Sequence, residues 1–245
     1  MKPPAPDRDD GAAAHDEPAA VAARYAQRVD DGRYDPLKPD VLLARQERER
    51  AVVALLRRHA PRPLRDLDVL EVGCGHGDNL LELLRLGADP ARLVGNELLP
   101  ARMAAARHRL PAAVRLVEGD ALAAPLPSAG FDIVLQSTVF TSLLDEGFQQ
   151  RLADRMWQCV RPGGAVLWYD FAFDNPRNVH VRGVPVARIR ALFPQATIDV
   201  RRVTLAPPLG RRAAAVHPAL WRGLNCVPWL RTHRLAWIAK PTLAA

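Results

Sequence analysis

Gly73, Gly75 and Gly77 alternate through the stretch LEVGCGHGDNL (70–80), with Glu71 before them and Asp78 directly after. Glycine lets a backbone approach a ligand closely, and a helix opening behind such a turn offers free N–H groups. Several nucleotide-like ligands are held this way, so the neighbours of the glycines have to discriminate. A dinucleotide fingerprint wants its third glycine where Asp78 stands, and nearby carboxylates repel a pyrophosphate. No Gly-Lys-Ser/Thr follows, which removes the P-loop reading. Glu71 and Asp78 suit a cationic or zwitterionic ligand instead. Two further acids follow, Glu97 in VGNEL and Asp120 in EGDA. At successive strand ends the first can accept both hydroxyls of an adenosine ribose, and the second an exocyclic amine of adenine. A lone acid at a strand end is more often a helix cap or a solvated loop charge. A glycine turn and two such acids at three consecutive strand ends are much harder to obtain by accident.

Strands and helices must present these groups. DVLEV reads as a buried strand before the turn and DNLLELLRLG as the helix behind it. RLVGNEL, AVRLVEGDA, FDIVLQST and AVLWYDF read as further strands, with helices in PARMAAARHRL and EGFQQRLADRMWQCV and a turn at RPGG. A short helix in VPVARIRALFP precedes two late strands, ATIDVRRVTLA and HRLAWIAKP, with no long helix between them. This alternation predicts an α/β, doubly wound, mostly parallel sheet with an antiparallel last strand. Two amphipathic helices, in AVAARYAQRVDD and VLLARQERERAVVALLRRHA, are expected to form a helical cap over 19–60. Residues 1–18, rich in Pro, Ala and Asp, read as a disordered tail. The core domain is expected over 64–245, interrupted by an insertion at 206–232 between the last two strands. A segment of that length is usually functional or forms its own helical element. It is expected to roof the acceptor site as a lid together with the N-terminal helices, or else to cover an exposed sheet edge.

The stretches VLEVGCGHGDN (69–79), VGNELLPARMAAAR (94–107), VEGDALAAPLPSAGFDIVLQS (117–137) and VRPGGAVLWYDF (160–171) resemble the class I S-adenosylmethionine-dependent methyltransferases. The resemblance covers residues 66–171 and implies a seven-stranded sheet, S-adenosyl-L-methionine as cofactor and S-adenosyl-L-homocysteine as product. By position in the motifs, Glu71, Gly73, Gly75 and Gly77 would face the methionine part, with Cys74 and Asn79 in the same turn. Glu97 with Leu98 would hold the ribose, Asp120 with Ala121 the adenine edge, and Gln136 would lie near the sulfonium. Asn96 departs from the pattern, standing before the ribose acid where a hydrophobic or small residue is common.

The sulfonium carries the activation for methyl transfer, so the protein mainly aligns a nucleophile and, for a hydroxyl or amine, removes a proton. The segment WYDFAFDNPRNVHVRG (168–183) offers candidates for that task. Asp170, ending its strand, is the candidate base or acceptor-orienting group, with a turn hydrogen-bonder as the alternative. His180 can titrate near neutrality and is a second candidate base. Tyr169, Arg177, His217 and Trp221 are candidate acceptor contacts, Arg177 as a clamp for a carboxylate or phosphate. LQSTVFTSLL stands where base-amino methyltransferases carry an Asn/Asp-Pro-Pro-aromatic run, and no cysteine follows a proline as pyrimidine-carbon methylation needs. A small-molecule acceptor is therefore expected, methylated at a hydroxyl or carboxyl oxygen in a biosynthetic pathway. N-methylation of a small molecule and RNA modification are the alternatives.

Three dispersed cysteines, Cys74, Cys159 and Cys226, lack metal-type spacing, so no metal or disulfide framework is expected. The net charge of +7 looks scattered along the chain, the pattern of a solvated surface more than of a nucleic-acid binder. No apolar run approaches the length that spans a bilayer, and the first residues carry acids and prolines where a signal peptide would be apolar. A cytoplasmic protein without a membrane partner is expected, and its oligomeric state is left open.

Overall fold

The computed structural model describes residues 16–27, 32, 34–175 and 178–242. Seven strands make one sheet: β1 (Val69–Val72), β2 (Leu93–Glu97), β3 (Arg115–Glu118), β4 (Phe131–Ser137), β5 (Val160–Phe171), β6 (Thr197–Leu205) and β7 (Arg231–Ala239). Their order is β3-β2-β1-β4-β5-β7-β6, with β7 antiparallel to both neighbours and the other pairings parallel. Helices α3 (Asp78–Arg85), α4 (Pro100–Arg109), α5 (Glu146–Cys159) and α6 (Val186–Leu192) lie among these strands in sequence. The expected seven-stranded, doubly wound sheet is what forms.

Central strands read as near-continuous apolar runs because both faces are covered. Leu70, Val72, Val134, Val166 and Trp168 pack into one core with α5 and α6. Val69, Ile133, Leu135, Leu167 and Tyr169 pack into a second core on the other face, alternating as strand geometry requires. One departure concerns RPGG, which is strand and not turn. It lies within β5 at an irregularity, where the pairing with β4 jumps from Phe131↔Val160 to Ile133↔Ala165, and a Cβ on Gly164 would stand 2.6 Å from the Asp132 carbonyl, so glycine permits the close approach. Buried Asp132 closes that end of the sheet, accepting from Arg62 (2.6 Å) and Arg161 (3.0 Å).

Two helices precede the core, α1 (Glu17–Ala26) and α2 (Pro39–His59). Asp16 caps α1 by accepting from the Ala19 N–H, and Pro18 sits in the first turn, where a missing N–H costs nothing. The cap segment thus starts within the stretch read as tail, and residues 1–15 lie outside the described residues. Between β6 and β7 the insertion folds into α7 (Pro207–Val216), α8 (Pro218–Asn225) and a short 3-10 turn (Pro228–Leu230). Ala213, Ala214 and Trp221 bury against Leu43 of α2 and Leu205 of β6, so the insertion carries a small core of its own beside the edge strand. Among the described residues no helix is long and apolar enough to cross a membrane.

Candidate functional site

A cleft of about 120 Å³ opens at the carboxyl ends of β1 to β4. Gly73, Asn96, Glu97, Leu98, Asp120 and Ala121 line one part of it. Glu97 is buried, and its two carboxylate oxygens accept from the Gly75 N–H (2.7 Å) and the Leu99 N–H (2.9 Å). It therefore fastens the glycine turn while each oxygen keeps a lone pair for a ligand. Asn96, which departs from the family pattern, donates to the carbonyls of Val117 and Gly119 at 3.0 Å and so ties β2 to the end of β3. Asp120 accepts from the Leu122 N–H at 3.0 Å and is half-buried beside them.

The glycines have separate reasons. Gly73 has φ +68°, and a Cβ there would fall 2.6 Å from Val139 Cγ2 across the cleft. Gly77 has φ +84° and opens α3, where a Cβ would meet Leu110 at 2.8 Å. Gly73→Ala is expected to cost about 1–2 kcal/mol through its left-handed backbone, with Val139 displaced into the cleft. Thermal unfolding with and without S-adenosylmethionine checks this, and an unchanged melting temperature contradicts it.

Glu71 lies under the turn, fully buried, and desolvation pushes its pKa up to about 8. Its Oε1 accepts from Asn79 Nδ2 at 2.5 Å, while Oε2 is buried without a hydrogen-bond partner. Asn79 Oδ1 accepts from Arg48 Nη2 (2.8 Å), the same nitrogen reaches Glu82 (3.3 Å), and the guanidinium carbon lies 5.1 Å from the centre of the Tyr169 ring. An orphaned carboxylate oxygen, a glycine turn a Cβ would obstruct and a ribose acid with open lone pairs fit a cationic adenosyl ligand. Arg48 went unremarked in the sequence, because on α2 it was one of several arginines on a wet helix face. Cys74 is buried in the core against Gly95, its thiol pushed well up by burial. Gln136 is buried too, accepting from the Val139 N–H at 3.1 Å and donating to the Tyr169 carbonyl at 3.4 Å. Asn79, Cys74 and Gln136 thus shape the turn and the loop after β4, and none of the three lines the cleft.

The other part of the cleft is walled by Ser137, Thr138, Val139, Leu143 and Phe148, and by Pro18, Val21 and Tyr25 of α1. Glu17 and Arg24 fasten α1 over it. Glu17 pairs with Arg24 at 2.6 Å and accepts from the Leu144 N–H at 2.7 Å, and Arg24 donates to the Ser142 carbonyl at 2.8 Å. Arg102 of α4 stacks its guanidinium 4.2 Å from the Tyr25 ring centre. Thr138 has φ +57°, an outlier for a β-branched residue and of the kind that clusters where ligands bind.

Asp170 is buried, and desolvation pushes its pKa up to about 7. Its carboxylate accepts from the Thr141 hydroxyl, the Thr141 N–H (3.2 Å) and the Phe171 N–H (2.9 Å). The cleft does not include it. Tyr169 points to the opposite face of the sheet, bonded to Thr204 at 2.9 Å and stacked on His233. His217 caps α8 through Nδ1, accepting from the Ala219 N–H at 3.1 Å, and Trp221 is in the core of the insertion. His180 is exposed on the loop after β5, and Arg177 lies outside the described residues. The structure thus brings Glu97 and Asp120 to one cleft and disperses the acceptor candidates.

Sheet order, glycine turn and strand-end acids define a class I, Rossmann-like methyltransferase fold. Residues 69–164 match the model of a methyltransferase domain. The demethylmenaquinone methyltransferase of Deinococcus radiodurans is 33% identical over 176 residues, covering 69% of this chain and 65% of that protein. A ubiquinone biosynthesis O-methyltransferase of Azorhizobium caulinodans is 36% identical over 109 residues, 43% of this chain and 41% of that one. The chain thus spans less than two thirds of the length of these relatives. A putative sarcosine dimethylglycine methyltransferase from Galdieria sulphuraria shares the fold at TM-score 0.61 and 14% identity, covering 83% of this chain and 89% of that one. Residues 69–164 thus form a methyltransferase domain, and in sequence and fold the chain is similar to the class I S-adenosylmethionine-dependent methyltransferases.

Proposed function

We propose that the protein transfers a methyl group from S-adenosylmethionine to a hydroxyl or carboxyl oxygen of a small molecule. The observation that carries this reading is the make-up of the cleft. Its Glu97–Asp120 part suits the adenosine, and its other part sets the hydroxyls of Tyr25, Ser137, Thr138 and Ser142 among apolar side chains and, among the described residues, holds no histidine or carboxylate. The bound cofactor supplies a methyl on a positively charged sulfur. Glu97 and Asp120 anchor that ligand, and Glu71 meets its cationic amino-acid end. Asp170 is a positioning residue: by holding Thr141 it fixes the loop after β4 that walls the acceptor side. With no base in the wall, an acceptor that is already ionised, a carboxylate or an acidic phenol, needs only alignment and exclusion of water. α1 supplies that exclusion. Relatives named for demethylmenaquinone methylation and ubiquinone biosynthesis are consistent with a small-molecule acceptor.

Labelled-methyl transfer to matched panels of phenols, carboxylic acids and amines tests the reading, alongside titration with S-adenosylmethionine, S-adenosylhomocysteine and NAD. Methylation is expected on the oxygen acids, with a pH profile that follows the acceptor's own pKa. Turnover of amines alone sinks the oxygen assignment, and binding of neither adenosyl compound sinks the whole reading.

A further inference from the structure

From Val200 to the last residue the sequence contains no Asp or Glu, yet it carries Arg201, Arg202, Arg211, Arg212, Arg222, Arg231, Arg234 and Lys240. This one segment accounts for the whole net charge of +7, so the surplus is not scattered. The structure turns much of it outward. α7 and α8 bury Ala213, Ala214 and Trp221 toward α2 and expose Arg211, Arg212 and Arg222, which make no ion pair among the described residues. Between these arginines stand apolar side chains in water: Val216 is 74% exposed, Leu220 45%, Val227 40% and Trp229 78%. Arg202 lies 5.2 Å from the Trp229 ring centre. Leu37, just before α2, and Leu42, in its first turn, are also exposed, and α2 is the helix on which α7 and α8 pack.

We propose that this surface docks on the headgroup region of an anionic lipid bilayer. Large exposed apolar side chains gathered in one place mark an interaction site. A Trp with arginines around it, no acid in its own segment and aliphatic side chains beside it, is the composition of an interfacial element. RNA takes up arginine and aromatic faces, but Val216, Leu220 and Val227 offer no stacking plane. A second copy joined through a two-fold axis would bring the same unpaired arginines face to face. The docking is peripheral, because no described helix can span the membrane. It rests on this surface alone and not on the methyl-transfer reading.

Vesicles of phosphatidylglycerol and phosphatidylcholine, compared with vesicles of phosphatidylcholine alone, test the full-length protein by co-sedimentation. Binding is expected to the anionic vesicles and to weaken with salt, with blue-shifted Trp emission quenched by brominated acyl chains. The double variant Leu220→Ser, Trp229→Ser is expected to bind about tenfold more weakly, through lost apolar burial. Charge reversal at Arg211, Arg212 and Arg222 together is expected to cost about a hundredfold or more. S-Adenosylmethionine titration of the same samples reports folding and the cofactor site separately. Equal affinity for neutral vesicles, binding unmoved by both variants, or no quenching in the unmodified protein overturns the proposal. So does retention on RNA that the apolar variant leaves intact, or a dimer that the apolar variant dissolves.

Discussion

Glu97→Ala is expected to weaken S-adenosylmethionine binding about a hundredfold, close to 2.7 kcal/mol. Two losses combine in it. A buried carboxylate accepting ligand hydroxyls forms charge-assisted bonds, each stronger than a neutral pair. The same carboxylate also holds the Gly75 and Leu99 N–H groups at 2.7 and 2.9 Å, so its removal frees the glycine turn as well. Glu97→Gln is no rescue, because its amide nitrogen cannot accept from either N–H. Asp120→Ala is expected to cost less, since Asp120 is half-buried and holds one backbone N–H. Calorimetric titration of the three variants decides the order. A Glu97→Ala affinity within about twofold of wild type, below the cost of one ordinary hydrogen bond, removes Glu97 from the site.

The turn and strand-end positions of the residues expected at the cofactor were legible in the sequence because strand ends and glycine turns leave local signatures. Glu71, Gly73, Glu97 and Asp120 each sit in a short motif whose backbone geometry is set within a few residues. Acceptor residues lacked that property. Tyr169 and Asp170 are adjacent in sequence, but strand alternation sends them to opposite faces, and only the register of β5 against β4 and β7 shows which core each enters. His217 and Trp221 looked like pocket chemistry in an unusual insertion. The fold uses the first as a helix cap and the second as the centre of a small core. Equally hidden was α1. Its amphipathic pattern announced a helix, but that Val21 and Tyr25 would wall the cleft depends on Glu17 reaching Leu144, a contact across 127 residues.

Glu71 gives the second large effect, a pH dependence of opposite sign for the free and the bound protein. In the free protein burial pushes its pKa up to about 8, against the opposing pull of the Asn79 amide and the Arg48 charge. The unfolded chain titrates near 4.5, so between that value and 8 the native state holds the extra proton. Stability without ligand therefore falls as pH rises through this window, and Asp170, raised to about 7, adds to the same trend. A cation at the turn reverses the preference by favouring the ionised carboxylate, whose Oε2 is otherwise orphaned. Below pH 8 binding must then expel the Glu71 proton, and affinity is expected to fall by up to about tenfold per pH unit on acidification. The ratio of wild-type to Glu71→Gln affinity isolates this limb from any titration of the ligand itself. Thermal shifts caused by S-adenosylmethionine are expected to grow from pH 6 to 8 in the wild type and to stay level in Glu71→Gln. Arg48→Met removes a stabilising cation, so its curve is expected to move to higher pH with the same shape. Parallel pH curves for wild type and Glu71→Gln contradict the assignment, because they leave the buried carboxylate indifferent to the ligand's charge.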